Sequence, residues 1–392
     1  MASTDYSRTG APPASVPPAG PVLADGETSR TVRLPGLSLL VRSRRPAPGG
    51  HGDRAAAEPA LFVHGLGGSS QNWSALMASL DDILDVQAPD LPGFGHSPPP
   101  DDGNYSVAAH ARAVVRLLDA EGRGPVHLFG NSMGGAVAVK VAAARPDLVR
   151  TLTLVSPALP ELRVQPTALP TALAALPGTP ALYLRATRRW SAERRTQALL
   201  SLCYADPSVV GPAERAAAAA EYQRRVDLPY FWDVTIRSTR GIVNAYTLGG
   251  QHALWRQAER VLAPTLLVYG VRDKLVSYRM ARRAYRAFRD ARLLTIPGSG
   301  HVAMMEHPLL VDRAFRDLRR ETAARPHGAT AAGSVSATAD TREDDPDGVH
   351  GADGVPGADG ASGADRVSGA DGASGAGAPD TATGMSTAAS GS

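Results

Sequence analysis

Short apolar runs and longer amphipathic ones take turns along the middle of this chain. Thr31-Val32-Arg33-Leu34 and Leu37-Ser38-Leu39-Leu40-Val41 flank Pro35-Gly36 and predict a hairpin. Ala60-Leu61-Phe62-Val63 is a short apolar run that stops at His64-Gly65, and Asp85-Val86-Gln87-Ala88 predicts a strand running into Asp90-Leu91-Pro92-Gly93. Ser70 to Leu80 has helical spacing. From Ser106 to Ala120, Val107, Val114, Val115, Leu117 and Leu118 supply the apolar positions of an amphipathic helix. Val126-His127-Leu128-Phe129, a glycine-rich turn, a helical run to Ala144 and the strand-like Thr151-Leu152-Thr153-Leu154-Val155 follow. After a long helical interruption, Thr265-Leu266-Leu267-Val268-Tyr269 and Arg292-Leu293-Leu294-Thr295-Ile296 complete the series. Alternating strands and helices, with strands apolar along most of their length, predict an α/β fold: a mostly parallel sheet with helices on both faces.

This alternation divides the chain. Residues 1–29 are rich in Pro, Ala, Ser and Gly without periodicity and are expected to be a disordered leader. Residues 30–156 and 263–323 carry the strand series and form two parts of one core. Residues 157–262 hold proline-punctuated Ala/Leu segments and helical runs such as 192–203 and 212–225, together with nine of the 20 aromatic residues. Gly241 and the pair Gly249-Gly250 are candidate hinges there. Residues 324–392 repeat Gly-Ala-Asp-Gly and Ser-Gly-Ala. From Pro326 onward they hold ten acidic residues against Arg342 and Arg366, a net charge of −8 that leaves +11 for the rest of a chain whose total is +3. Such a stretch buries too little apolar surface to offset its ordering entropy, so an acidic disordered tail is expected. The repeat is similar to Ca²⁺-binding Gly/Asp repeats but lacks their alternating large apolar residue, which argues against a metal-bound solenoid.

Composition narrows the class further. Only Lys140 and Lys274 are lysines, so 39 of the 41 basic residues are arginine, a skew that fits a GC-rich genome better than a nucleic-acid surface. The single Cys203 excludes an intramolecular disulfide. The first twenty residues lack a basic n-region and an apolar h-region, and no apolar run approaches the ~20 residues that span a bilayer. A soluble cytoplasmic protein with no nucleic-acid partner is expected.

In a parallel α/β sheet, reactive groups gather at the carboxyl ends of the strands. Three of those ends carry suggestive residues. Strand 126–129 runs into Gly130-Asn131-Ser132-Met133-Gly134-Gly135, strand 265–269 into Gly270-Val271-Arg272-Asp273, and strand 292–296 into Pro297-Gly298-Ser299-Gly300-His301. Serine, aspartate and histidine therefore each stand just past a strand. A serine hydroxyl is a weak nucleophile until a base takes its proton, and an imidazole held by a carboxylate is such a base.

With His64-Gly65-Leu66-Gly67-Gly68, Asp90 to Ser97 (DLPGFGHS), GNSMGG, and the pair YGVRD and GSGHVAMMEHP in this order, residues 31–323 resemble the α/β-hydrolase superfamily. The resemblance implies the α/β-hydrolase fold, with residues 157–262 as a helical cap inserted after the sixth strand. It implies Ser132 as nucleophile, His301 as base and Asp273 as the acid that orients it. The N–H groups of Met133 and Leu66 would form the oxyanion hole. No cofactor and no metal is expected. The partners are a small hydrophobic acyl substrate and water, which suits the aromatic content of the insert. The leading reaction is hydrolysis of a carboxylic ester, thioester, lactone or acylglycerol through an acyl-enzyme.

Other readings stay open on the residues alone. GNSMGG is also similar to the turn of hydrolases that cleave carbon–carbon bonds in ring-fission products, although Val302 stands where those commonly have tryptophan. A cofactor-free perhydrolase shares the same triad, and a pocket-based ligand receptor shares the fold. Among the competing titratable residues, His64 is read as a loop-shaping residue bound to backbone and Asp90 as a turn carboxylate. His96 is read as part of the floor of the site, His110 as a core or surface residue on a helix, and His307 with Glu306 as a helix start. Arg272 makes an ion pair with Asp273 the competing role for that carboxylate. The oligomeric state and the substrate are not encoded legibly.

Overall fold

The computed structural model of the chain describes residues 20–45, 57–161, 165–168, 185, 187, 189–247 and 253–324. The tail expected over 324–392, apart from residue 324, and most of the leader lie outside these residues, as does the pair Gly249-Gly250. Eight strands form one sheet: β1 (Glu27–Leu34), β2 (Leu37–Arg44), β3 (Glu58–Val63), β4 (Leu84–Pro89), β5 (Val126–Asn131), β6 (Val149–Val155), β7 (Thr265–Gly270) and β8 (Ala291–Ile296). Their order is β1-β2-β4-β3-β5-β6-β7-β8. β1 and β2 pair antiparallel, β2 joins β4 antiparallel, and every remaining pairing is parallel. The mostly parallel sheet expected from the sequence is therefore the one found, with the hairpin at one edge.

The central strands show why their sequences read as unbroken apolar runs. Alternate side chains of β5 enter two separate cores: Val126 and Leu128 join one, Phe129 the other. Leu61 and Val63 of β3 split in the same way from Ala60 and Phe62, and Leu267 and Tyr269 of β7 from Leu266 and Val268. With both faces covered, the period-2 polarity that marks a half-exposed strand has no reason to exist. On one face lie α2 (Val107–Glu121) and α3 (Met133–Ala144), and on the other α1 (Ser74–Leu80) and, at the end of the chain, a long helix over Pro308–Ala323. Beneath β3 and β5 on this second face, Phe62, Phe129 and Phe315 stack in succession at 4.2 Å and 4.9 Å, with Trp73 5.2 Å from Phe62. Each such aromatic pair adds ~1 kcal/mol beyond its burial, so the strand that ends at Ser132 rests on a rigid bed.

Between β6 and β7 come α4 (Ala192–Cys203), α5 (Pro212–Val226), α6 (Phe231–Thr247) and α7 (Leu254–Ala258), and then α8 (Met280–Ala287) and α9 (Ala303–Glu306) flank β8, leaving Pro308–Ala323 as α10. Three features differ from the sequence reading. β1 starts at Glu27, inside the stretch read as leader, because Glu27 pairs with the buried Arg42 guanidinium and accepts from Ala24 N–H at 2.9 Å. The helix read over 70–80 is a 3₁₀ turn (Ser70–Trp73) followed by α1. Gly241 lies inside α6, where a Cβ would come 2.8 Å from the Tyr105 carbonyl; it serves close packing of helix on loop rather than a hinge. Among the described residues no helix is long and apolar enough to cross a membrane.

Candidate active site

Ser132 joins β5 to α3 with φ 53° and ψ −118°. For a residue with a Cβ this region costs ~1–3 kcal/mol and persists only when neighbours hold it. Here the next strand does so: Ser132 N–H donates to Val155 O at 3.1 Å, and Ser132 O accepts from Ala158 N–H at 2.9 Å. The glycine after next completes the turn. A Cβ on Gly134 would run into the carbonyl oxygens of Val63 and His64, so only glycine lets the helix start lie against β3. Ser132 occupies the N-cap position of α3, yet its hydroxyl makes no capping bond, which leaves it available.

His301 and Asp273 come together beside this turn. His301 Nδ1 lies 2.9 Å from Asp273 Oδ2, and both side chains are almost fully buried. The other carboxylate oxygen accepts from the N–H groups of Leu275 (2.8 Å) and Val276 (3.0 Å). Burial pushes the Asp273 pKa up, but the His301 contact and the two amides outweigh it, and the carboxyl ends below its ordinary value. An ionised carboxylate only accepts, so Nδ1 is the nitrogen that donates to Asp273, and Nε2 is the one that in the neutral imidazole carries the lone pair. Asp273 is thus engaged by His301 rather than by an ion pair with its neighbour Arg272. Asn131, the residue before the serine, is tied to the histidine: its Nδ2 donates to His301 O and to Val155 O, both at 3.1 Å.

The second loop read from the sequence is also at the turn. A Cβ on Gly65 would sit 3.1 Å from Ser132 Cβ, which sets the start of this loop against the serine. The N–H groups of Leu66 and Met133 have no hydrogen-bond partner among the described residues. His64 shapes this loop as expected: its Nδ1 faces Gly65 O at 2.7 Å and its Nε2 accepts from Leu91 N–H at 2.9 Å. Burial lowers its pKa, so it is a neutral bracket. Asp90 is a turn carboxylate that accepts from Ser70 N–H (2.7 Å) and His96 N–H (2.8 Å). His110 is a core residue with both ring nitrogens unpartnered among the described residues, and burial drives its pKa down to about 3. His307 stands at a helix start as read, in the N-cap position of α10, but the shared role read for Glu306 is corrected. His307 precedes α10 without a side-chain capping bond, and the Glu306 carboxylate turns back to the His301 loop.

The segment between β6 and β7 reaches both sides of this arrangement. Arg225 of α5 donates to Gly67 O at 2.6 Å, and Arg224 to Gly95 O at 2.9 Å. At the end of α4, Cys203 O accepts from His301 N–H at 2.7 Å. Burial and the nearby carboxylates of Asp273 and Glu306 push the Cys203 thiol up to about 12, which makes it inert as a nucleophile. Sequence reading missed Asn131, Glu306 and Arg225, since nothing in their spacing tells which distant carbonyl or amide each will meet. Among the described residues no three His, Cys, Asp or Glu side chains converge as metal ligands.

The comparison with known sequences decides the family. The alpha/beta hydrolase fold family profile matches residues 59–308, from β3 to the start of α10. This chain belongs to the α/β-hydrolase family. It is similar to the lipase LipV of Mycobacterium tuberculosis, with 42% identity over 99 residues, 25% of this chain and 37% of the lipase. Like three other relatives matched over a comparable stretch, that lipase is spanned over only 27–37% of its length. A longer match joins this α/β-hydrolase to an esterase of the same bacterium, at 26% identity over 265 residues, 64% of this chain and 80% of the esterase. Among solved structures, the meta-cleavage product hydrolase of Pseudomonas fluorescens superposes with a TM-score of 0.59 at 19% identity, covering 74% of this chain and 97% of that one. At that identity the likeness is one of fold.

Proposed function

We propose that this chain is a serine hydrolase that cleaves a carboxylic ester, or a related thioester, lactone or acylglycerol, through an acyl-enzyme. The observation that carries the reading is the 2.9 Å contact of His301 Nδ1 with Asp273 Oδ2, beside a serine whose strained backbone frees its hydroxyl. His301 Nε2 takes the proton of Ser132 as Oγ attacks the acyl carbon. The negative charge that develops on the carbonyl oxygen meets the N–H groups of Leu66 and Met133, each such donor being worth ~3 kcal/mol in the transition state. His301 then passes its proton to the leaving alcohol. Water repeats the sequence on the acyl-enzyme, and the acid departs with Ser132 restored. Asp273 keeps the imidazole in the tautomer that each step needs.

Residues 157–262 act as a cap over the acyl site in this reading, supported by the contacts of Arg224, Arg225 and Cys203 with the loops around Ser132. The lipase and esterase among the relatives support ester hydrolysis over other chemistries of the fold. A fluorophosphonate probe tests the assignment without knowledge of the substrate: wild-type protein should be labelled and Ser132→Ala should not. Equal labelling of the two would end the proposal.

A further inference from the structure

Glu306 stands five residues beyond His301, and its two carboxylate oxygens reach two separate pieces of chain. Oε1 accepts from Gly300 N–H at 2.7 Å and from Ser299 Oγ at 3.1 Å; Oε2 accepts from Ala205 N–H at 2.8 Å. The first two donors belong to the turn that delivers His301, and the third to the inserted segment just past α4. Further contacts tie the loops around His301 and Asp273 to the same inserted segment. His301 N–H donates to Cys203 O at 2.7 Å, the Tyr204 hydroxyl lies 3.8 Å from Met305 Sδ, and Lys274, next to Asp273, donates from Nζ to Ser201 O at 2.6 Å. Gly300 makes the approach possible. A Cβ there would stand 2.5 Å from Cys203 O and 2.6 Å from Ala205 N, nearer than real carbon atoms come.

We infer that Glu306 is a positioning residue for His301, its carboxylate fixing the turn 299–301 against residues 203–205 so that the inserted segment sets where the imidazole sits. The inference rests on His301 being the base of the proposed hydrolase. Its physical core is a count of donors and acceptors. Three donors converge on one side chain, and only a carboxylate accepts at both ends. Glutamine has the same shape but must turn its NH₂ toward one of these donors. Glu306→Gln therefore breaks one arm of the bridge while leaving the packing nearly unchanged. The backbone of His301 is held from three directions, by Asn131, by Cys203 and through Gly300 by Glu306; loss of the third loosens the backbone that carries the ring. A misplacement of ~1 Å in a catalytic group costs about 10²-fold in rate.

The test uses the full-length chain and a fluorophosphonate, with the limiting inactivation rate and the half-saturating probe concentration measured separately. Glu306→Gln should inactivate about 10- to 100-fold more slowly at an unchanged half-saturating concentration, because the probe site is intact and only the base is displaced. A residue that merely stabilises the fold would lower the melting temperature and leave the limiting rate of the folded protein alone; that outcome overturns the inference. If Glu306→Gln does not fold, Glu306→Asp provides the same measurement. Its shorter side chain drops one of the two arms, and a wild-type limiting rate in that variant likewise overturns the inference. Failure of the hydrolase reading looks different: wild type would then be labelled no faster than Ser132→Ala.

Discussion

Asn131 and His301, 170 residues apart, are joined by a single hydrogen bond from the asparagine Nδ2 to the histidine carbonyl at 3.1 Å. The same NH₂ also donates to Val155 O, so both of its hydrogens are used and the amide orientation is fixed by two carbonyls. The residue before the proposed nucleophile thereby holds the main chain of the proposed base.

Removing that donor should cost activity more than stability, and the order of variants is diagnostic. Asn131→Ala leaves two buried carbonyls with one partner fewer, a loss of about 1–3 kcal/mol. Asn131→Asp places a carboxylate against two carbonyl oxygens and should be worse on both counts. Urea unfolding and p-nitrophenyl ester turnover on the same samples measure the two effects.

Asp273→Asn should keep the fold and lower kcat by about 10³–10⁴. The amide can present its NH₂ to His301 Nδ1, which moves the proton to Nε2 and removes the lone pair that the proposed attack by Ser132 requires. Steady-state kinetics, with near-ultraviolet circular dichroism to show native packing, would detect this. A kcat within tenfold of wild type would remove Asp273 from the proposed role.

Gly134→Ala tests the elbow from the structural side. The added methyl points at the carbonyl oxygens of Val63 and His64, neither of which can retreat without unpairing β3. Overpacking of this kind costs about 1–3 kcal/mol, and here it should also displace Met133 N–H. Lower thermal stability with fluorophosphonate labelling lost out of proportion is the expected pair of results.

Acid stability should depend on Glu58. Its carboxylate meets His127, Arg319 and Arg150 at the amino-terminal end of the sheet, and the His127 contact leads the interactions that lower its pKa from 4.5 to about 2. A folded-state pKa below the unfolded one stabilises the native state fully above about pH 4.5, and the contribution drains away as the pH falls toward 2. The urea midpoint should fall across that window in the wild type and less steeply in Glu58→Gln, which lacks the titrating group.

The choice between ester and carbon–carbon chemistry is open to direct assay. A panel of p-nitrophenyl esters of increasing chain length should be turned over, with a preference that measures the acyl pocket. A coloured dienoate of the ring-fission type should keep its absorbance. Bleaching of the dienoate with no ester turnover would reverse the assignment.

Much of the fold was legible because both faces of the sheet are buried, which turns each central strand into an apolar run such as Leu61-Phe62-Val63 that needs no partner to be recognised. The three strand ends bearing Ser132, Asp273 and His301 were legible for a related reason: parallel topology brings the carboxyl ends of all strands to one edge. The bridges of Asn131, Glu306 and Arg225 were not. Each is a polar side chain meeting a backbone group contributed by a distant loop, and the chain carries no local pattern for such a meeting. Glu27 was missed because its pairing with Arg42 gives order to a segment whose composition otherwise reads as leader.

The unusual backbone of Ser132 is held by Val155 O and Ala158 N–H, not by anything its side chain does. Trimming the hydroxyl should therefore leave the elbow bent and the loops around it in place. Ser132→Ala becomes a shape-faithful trap: immobilised and passed over a cell extract, it can retain the intact molecule that the wild-type protein would consume, and mass spectrometry of the eluate can then name it.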